Sequence, residues 1–496
     1  MKFYQHGENV NPPRDATYPC VVLATNTWDD FGYKTTFSAR YYSTARKNTK
    51  LGEIKILQRG ELQTKISEQF SQLDESYCSL GQSLEYYQTL LPLGRGIYQP
   101  ILKGLNDIVF SPEIAGAFIS EEGFAKSLIR FSEAEKAFSE GRDLFFRIRP
   151  QVTDRKFAFK FLCRVPGAES NHELECDFSE DHTDLHRIMA LIGKNGTGKT
   201  QVLAKFASAM SGWRRGQGEF IPKRPSFSKV IAISYSVFDR FDRPQETVDS
   251  FSYVYCGIRR GNQSADLNSE DVLENEPDAI YTRKEMEEKL LAALDSVQQL
   301  KRTQQWSRVL SELLEQRITI NSLRDRNGRI KQSGYAGLSS GHALLIRLMT
   351  EVIANINNES MVLFDEPEMH LHPDALSSLI SAFHLLLKEF NSYAILATHS
   401  PLVLQQIPSR RVRVFKREGG YPIVSRLGKE CFGENLTAIS NEVFETSELH
   451  SNYQEHLREL ATRYSYQQIL SFFDGQLGFN AKSFLRSLYP PASDVE

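Results

Sequence analysis

The 496-residue chain lacks most of what would commit it to a membrane, an oxidising compartment or a polyanion. Nowhere do eighteen apolar residues run uninterrupted, so no segment reads as a membrane-spanning helix. The opening MKFYQHGENVNPPRD is polar, without the apolar core of a secretory signal, and a cytoplasmic chain is expected. Cysteines are few: Cys20, Cys78, Cys163, Cys176, Cys256 and Cys431 are widely scattered, with no C-x-x-C pair among them. That scatter offers neither a zinc site nor a disulfide framework, and free thiols are expected. Basic charge is not in excess either. Lys+Arg number 59 against Asp+Glu 62, a formal charge of -3, so no global field draws in nucleic acid, although a local patch would suffice. Internal repeats and low-complexity tracts are also missing.

What the chain does have is an ordinary globular composition, 41% hydrophobic and 24% charged, and length for one large domain with insertions or two to three smaller ones. CVVLAT, KTTFSARYY and EIKIL are short β-rich runs, giving a β portion over 1–61. Over 62–142 the texture changes: Leu73, Tyr77, Leu80, Leu84 and Tyr87 recur at three- and four-residue spacing and predict a helical insertion. Strand signals return in LFFRIRP (144–150) and FAFKFLCRV (157–165), so the insertion is expected to interrupt one sheet. A first lobe then covers 143–257. Residues 258–332 form an acidic connector followed by amphipathic helices, a second lobe spans 333–448, and 449–496 reads as helical. Strands alternating with helices in both lobes predict an α/β fold with a parallel sheet covered on both faces.

Four motifs carry chemistry. Gly193-Lys194-Asn195-Gly196-Thr197-Gly198-Lys199-Thr200 is a complete G-x-x-x-x-G-K-T phosphate loop between the strand-like IMALI and a helix. Glycines let the backbone aim its N–H groups at phosphates, and the helix adds its positive end. Lys199 is expected at the β- and γ-phosphates of ATP and the Thr200 hydroxyl on Mg²⁺. MVLF-Asp365-Glu366 is a buried strand ending in two acids. Asp365 there suits Mg²⁺ held through water, and Glu366 suits polarising an attacking water. Leu338-Ser339-Ser340-Gly341-His342 opens a helix and gathers a hydroxyl, a glycine N–H and a helix N-terminus for an anion. AILAT-His399-Ser400 ends a further strand in a histidine.

In this order, GKNGTGKT, LSSGH, LFDEPEMHLHP and ILATHSP resemble the ABC-type ATPases, on the branch of the overcoming-lysogenization-defect and RecF/SMC-like proteins. The resemblance covers about 185–405 and departs at Ser340 and His342 from the L-S-G-G-Q signature. It implies a P-loop ATPase head with a parallel sheet, an N-terminal antiparallel β portion and helical insertions. It also implies a head-to-tail dimer, in which Ser339, Ser340 and Gly341 close over the ATP of the partner while His399 contacts the γ-phosphate. Within the branch the chain is similar to stand-alone ATPases of the PtuA type from the anti-phage Septu system, which implies regulation of a separate HNH nuclease subunit. A RecF-like, DNA-clamping ATPase is the rival. About ninety residues follow Ser400 without the acidic set of a Toprim nuclease, so no nuclease of its own is expected. The glutamine that such ATPases carry after the second strand is not evident; SYSVFDRFD stands there and Gln245 is the nearest candidate. His370 and His372 are read as structural. Of the basic stretches, Trp213-Arg214-Arg215 with Lys223-Arg224 could touch phosphate backbones, and Arg410 to Arg417 reads as an edge strand bearing solvated cations.

Overall fold

The computed structural model describes residues 1–5, 7–26, 29–30, 32–146, 158–181, 185–212, 216–243, 253–260, 280–314, 323, 340–444 and 452–489. They fall into two compact units, Met1–Gly433 and Glu434–Glu496.

The first unit opens on a six-stranded sheet made of β1 (Lys2–Gln5), β2 (Cys20–Thr25), β3 (Thr36–Thr44), β4 (Lys47–Gln58), β5 (Gln69–Phe70) and β6 (Tyr77–Gly81), in the order β5-β1-β2-β3-β4-β6. Its pairs are antiparallel except β1 with β2. Four helices follow: α1 (Leu84–Leu90), α2 (Arg95–Gly104), α3 (Pro112–Phe118) and α4 (Ser132–Phe146). They share one core with the sheet, in which Phe3, Ile54, Tyr86, Tyr87, Leu102 and Phe118 are buried. Beneath lies a buried charge cluster. The Asp30 carboxylate takes Lys55 Nζ at 2.7 Å, Arg130 at 2.9 Å and the Ser127 hydroxyl at 2.8 Å, so both oxygens find donors.

Three sequence expectations are corrected in this region. Tyr77 and Leu80 lie on strand β6, not on a helix; β6 is buried on both faces, and a two-sided strand mimics helical spacing over a few residues. Residues 144–146 end helix α4 and do not begin a strand. The helices also do not interrupt a single sheet. The strands after them, β7 (Ala158–Cys163), β8 (His172–Asp177), β9 (Ile188–Gly193) and those beyond, belong to two other sheets.

The sheet that matters for function has the order β12-β11-β13-β14-β9-β15-β16. Its further strands are β11 (Val230–Ser234), β12 (Tyr253–Gly257), β13 (Met361–Asp365), β14 (Tyr393–Thr398), β15 (Val412–Glu418) and β16 (Tyr421–Arg426). All its pairs are parallel except β15 with β16. Helix α5 (Lys199–Ser211) covers one face, where Val202, Phe206 and Met210 meet Leu191, Leu363 and Ile395. A small antiparallel sheet, β10 (Glu219–Ile221) with β7 and β8, packs Phe161 against Phe206 at a ring distance of 5.2 Å. Further helices are α6 (Arg283–Gln299), α7 (Thr303–Leu314), α8 (Ser340–Asn355), α9 (Pro373–Glu389) and the short α10 (Pro401–Leu404). The apolar stripe of α9 is buried, and its Phe383 meets Phe364 of β13 at 5.9 Å, so α9 covers the face opposite α5.

β15 is not an edge strand, since β16 lies outside it, and its cations divide: Arg410 and Arg417 are exposed, as expected, while Arg411 and Arg413 are not. Arg411 and Arg413 are buried; Arg411 donates to the Ser179 carbonyl at 2.7 Å and Arg413 to the Arg410 carbonyl at 2.9 Å. All six cysteines are free and buried, as the scatter suggested. Among the described residues no helix is long and apolar enough to cross a membrane.

The second unit contains α11 (Leu436–Phe444), α12 (Asn452–Ala461), α13 (Tyr466–Phe472) and α14 (Phe479–Ser487), with a small core of Leu457, Ile469 and Leu485.

Candidate nucleotide site

Parallel strands in register bring their C-terminal ends to one rim. Ser234 pairs with Asp365, Asp365 with Ala397, and Ala397 with Leu191, so the segments leaving β11, β13, β14 and β9 emerge side by side. The loop from Gly193 to Thr200 leaves β9 there and turns directly into α5. Its glycines are required by geometry. A Cβ on Gly193 would lie 2.1 Å from the Phe415 carbonyl oxygen, while Gly196 and Gly198 hold φ of 78° and 95°. The Thr197 hydroxyl donates to the Lys194 carbonyl at 2.8 Å and staples the turn. Lys199 Nζ bends back to the carbonyls of Gly193 at 2.8 Å and Lys194 at 3.3 Å, and burial pushes its ammonium down to about 8.

Facing the loop, the Thr200 hydroxyl donates to Asp365 Oδ1 at 3.0 Å. Asp365 is buried, and its desolvated carboxyl is pushed up to about 7, with the nearby Glu366 charge adding to the rise. Such a carboxylate gains from a cation between it and the hydroxyl. Among the described residues no cluster of three or more His, Cys, Asp or Glu could hold a metal by itself. The Thr200 hydroxyl beside the Asp365 carboxylate fits Mg²⁺ held by one hydroxyl, one carboxylate, water and phosphate. Glu366 follows at φ 52°, a left-handed conformation that its N–H secures by donating to the Ala397 carbonyl at 2.8 Å. Burial raises its carboxyl above the usual range. His399 Nε2 stands 3.8 Å from Glu366 Oε1, and burial followed by the Lys199 charge holds the imidazole down to about 4. The ring is therefore neutral near pH 7, and the pair is a polar contact rather than an ion pair.

Sequence reasoning missed two groups that shape this rim. Glu368 accepts from the His399 backbone N–H at 2.5 Å and from the Thr398 hydroxyl at 2.9 Å, which fixes the turn presenting His399. Its place in DEPEMHLHP was the available signal. His172 of β8 lies against the Thr197 carbonyl at 3.3 Å and would meet a Cβ at Gly198 at 2.9 Å. No motif announced it. A cavity of about 400 Å³ opens above the loop, lined by Gly196, Lys199, Thr200, Glu366 and His399, with Val165, Pro166 and Ala168 at an apolar side. His372 is exposed at the start of α9 and pairs with Asp374 at 3.4 Å.

The serine-glycine turn falls partly outside the described residues, as do Leu338, Ser339, Gln245 and Trp213 to Arg215. Ser340 opens α8, and neither Gly341 nor His342 lines the cavity of its own chain.

Residues 242–405 match the family model described as "AAA domain, putative AbiEii toxin, Type IV TA system". Together with the sheet order and the loop, this supports a P-loop ATPase of the ABC and AAA type. Over 502 residues the chain is also 28% identical to Protein ea59 of Escherichia phage lambda, covering 94% of each chain. Solved structures of low similarity include MJ1267, an ATP-binding cassette of an ABC transporter in its ADP conformation, with TM-score 0.29 and 15% identity over 57% of this chain and 93% of that one. Another is cbiO1 from Clostridium perfringens, part of the ABC transporter complex cbiONQ, with TM-score 0.28 and 14% identity over 61% and 99%. At these scores the chain's own topology carries the fold.

Proposed function

We propose that the chain binds ATP with Mg²⁺ over residues 193–200 and hydrolyses it. The observation that carries this reading is the alignment on one rim of the Thr200 hydroxyl, the Asp365 carboxylate 3.0 Å away, Glu366, and His399 at 3.8 Å from Glu366. Backbone N–H groups and Lys199 bind the phosphate chain; Thr200 and Asp365 hold Mg²⁺, which neutralises phosphate charge. Glu366, raised by its burial toward the working pH, accepts the proton of the attacking water. Neutral His399 offers a hydrogen bond to the same region without adding charge. Phosphate release measured for wild type, Glu366→Gln and Lys199→Ala tests this. Wild type should turn over slowly, Glu366→Gln should bind ATP without hydrolysing it, and Lys199→Ala should lose binding. Wild-type hydrolysis in both variants would refute the assignment.

The reading extends to a head-to-tail pair of chains, in which Ser339, Ser340 and Gly341 of one copy close the ATP site of the other. What supports it is the signature order in the sequence and the position of Gly341 away from its own chain's cavity. The ATPase is further proposed to act as sensor and scaffold for a separate HNH nuclease in an anti-phage system. The resemblance to PtuA-type ATPases supports this, and the likeness to a protein of phage lambda is consistent with a role tied to phage. Co-purification with an HNH nuclease encoded beside it is the expected result. ATP-stimulated, salt-sensitive duplex binding with no nuclease partner would favour a DNA-clamping role instead.

A further inference from the structure

Three of the four segments on the rim have a part in the proposed chemistry. The segment leaving β11 does not, yet Ser234 stands directly beside Asp365, on the side away from β14 and His399. Residues 235–243 read YSVFDRFDR and contain no glutamine. Their turn is pinned from behind. The Ser236 N–H donates to Ser234 Oγ at 3.1 Å and the Phe238 N–H to Ser236 Oγ at 3.2 Å. Asp239, 2% exposed, accepts from the Tyr255 hydroxyl at 2.7 Å, and Arg259 donates to its carbonyl at 2.5 Å. With Asp239 locked inward, Arg240 is exposed and lines the same cavity as Lys199, Thr200, Glu366 and His399.

Two guanidiniums border this cavity. Arg417 is engaged, donating to the carbonyls of Gly419, at 2.9 Å, and of Gly167. Arg240, among the described residues, makes no hydrogen bond or ion pair. An unpaired guanidinium carries five donors in a planar fork suited to phosphate oxygens. Near the reacting end the charges of three carboxylates, Asp365, Glu366 and Glu368, act on the single ammonium of Lys199, and a second cation there would offset that excess.

We propose that Arg240 is a phosphate-binding residue that engages the terminal phosphate of ATP from the flank of Glu366 opposite His399. The site thereby takes a charged donor where such heads carry a neutral amide, and it distinguishes ATP from ADP through that contact. The inference rests on the reading of the site as an ATP site. Because Arg240 is exposed and unpartnered, its replacement leaves the fold nothing to lose.

The test is calorimetric binding of Mg·ATPγS and Mg·ADP to the full chain, with phosphate release in parallel, for wild type, Arg240→Ala, Arg240→Lys and Lys199→Ala. Arg240→Ala should weaken ATPγS about 10- to 100-fold, the scale of one charge-assisted contact, while ADP affinity changes less than about 3-fold. Arg240→Lys should restore part of the loss. If wild type binds ATPγS and Lys199→Ala does not, but Arg240→Ala keeps the wild-type ATPγS-to-ADP ratio and rate, the Arg240 assignment alone is overturned. If wild type binds neither nucleotide, the ATP reading fails and takes this inference with it.

Discussion

At the scale of single residues, the site depends on groups whose charge burial has made uncomfortable. Glu366 sits at φ 52°, where a non-glycine residue is disfavoured by about 1 kcal/mol, and it is held there by backbone hydrogen bonds to Ala397 and Met369. Glu366→Gln should therefore leave that backbone intact and lower kcat by about 10²- to 10⁴-fold, the range of a lost general base, with ATP affinity retained. Rate and affinity measured together check it. Asp107, far along the chain from the loop, tests the electrostatics independently. It accepts from the Tyr87 hydroxyl at 2.9 Å and from the Val109 and Phe110 N–H groups at 3.0 and 2.9 Å, yet burial pushes its carboxyl up to about 7. The unfolded value is about 3.9, so between the two the folded chain holds a proton that unfolding releases. The contribution is complete below about pH 4 and is lost as pH rises toward 7. Glu133 titrates in the same sense and is unaffected by a change at Asp107. Hence the melting temperature of Asp107→Asn should fall less between pH 5.5 and 8 than that of wild type; equal falls would contradict the assignment. The loop residues and the Asp-Glu pair were legible in the sequence because their types and spacing are dictated by phosphate chemistry. Asp107 and His172 were not, because a long-range contact leaves no local pattern.

At the scale of elements, the precision of the site comes from junctions between strands and the turns that follow them. Glu368 ties the residues after β13 to the end of β14 through Thr398 and the His399 N–H. Glu368→Ala should free that turn, lowering kcat about tenfold while ATP affinity and melting temperature stay near wild type. A wild-type kcat would show that the clamp is not needed to position His399. Strands buried on both faces, such as β9, β13 and β14, were readable as apolar runs followed by helices. The same property misled at Tyr77 and Leu80, where a two-sided strand imitates helical spacing, and at Phe145, where an apolar helix end imitates a strand. The misplacement of Arg411 and Arg413 had another cause. Their sequence shows only charge, while the carbonyls that satisfy it lie on β15's own turn and near Ser179.

At the scale of the whole molecule, the N-terminal sheet and the site-bearing sheet are joined by specific contacts rather than by a shared sheet. Arg130, one of the cations on Asp30, also donates to the carbonyl of Gly212 at 3.3 Å, the residue that caps the far end of α5. The helix that begins at the phosphate loop thus ends against the N-terminal core. The proposed meeting of two copies rests on motif order. Helix α8 opens at Ser340 and does not line its own chain's cavity, which makes the site incomplete in a single copy under the proposed reading. Each chain has a mass of 56.6 kDa. The most direct measurement is light scattering of Glu366→Gln, with and without saturating Mg·ATP. The account predicts one-chain mass without nucleotide and a doubled mass with it, abolished when Gly341 is replaced by a bulky residue. ATP bound at full occupancy with the mass unchanged would contradict it.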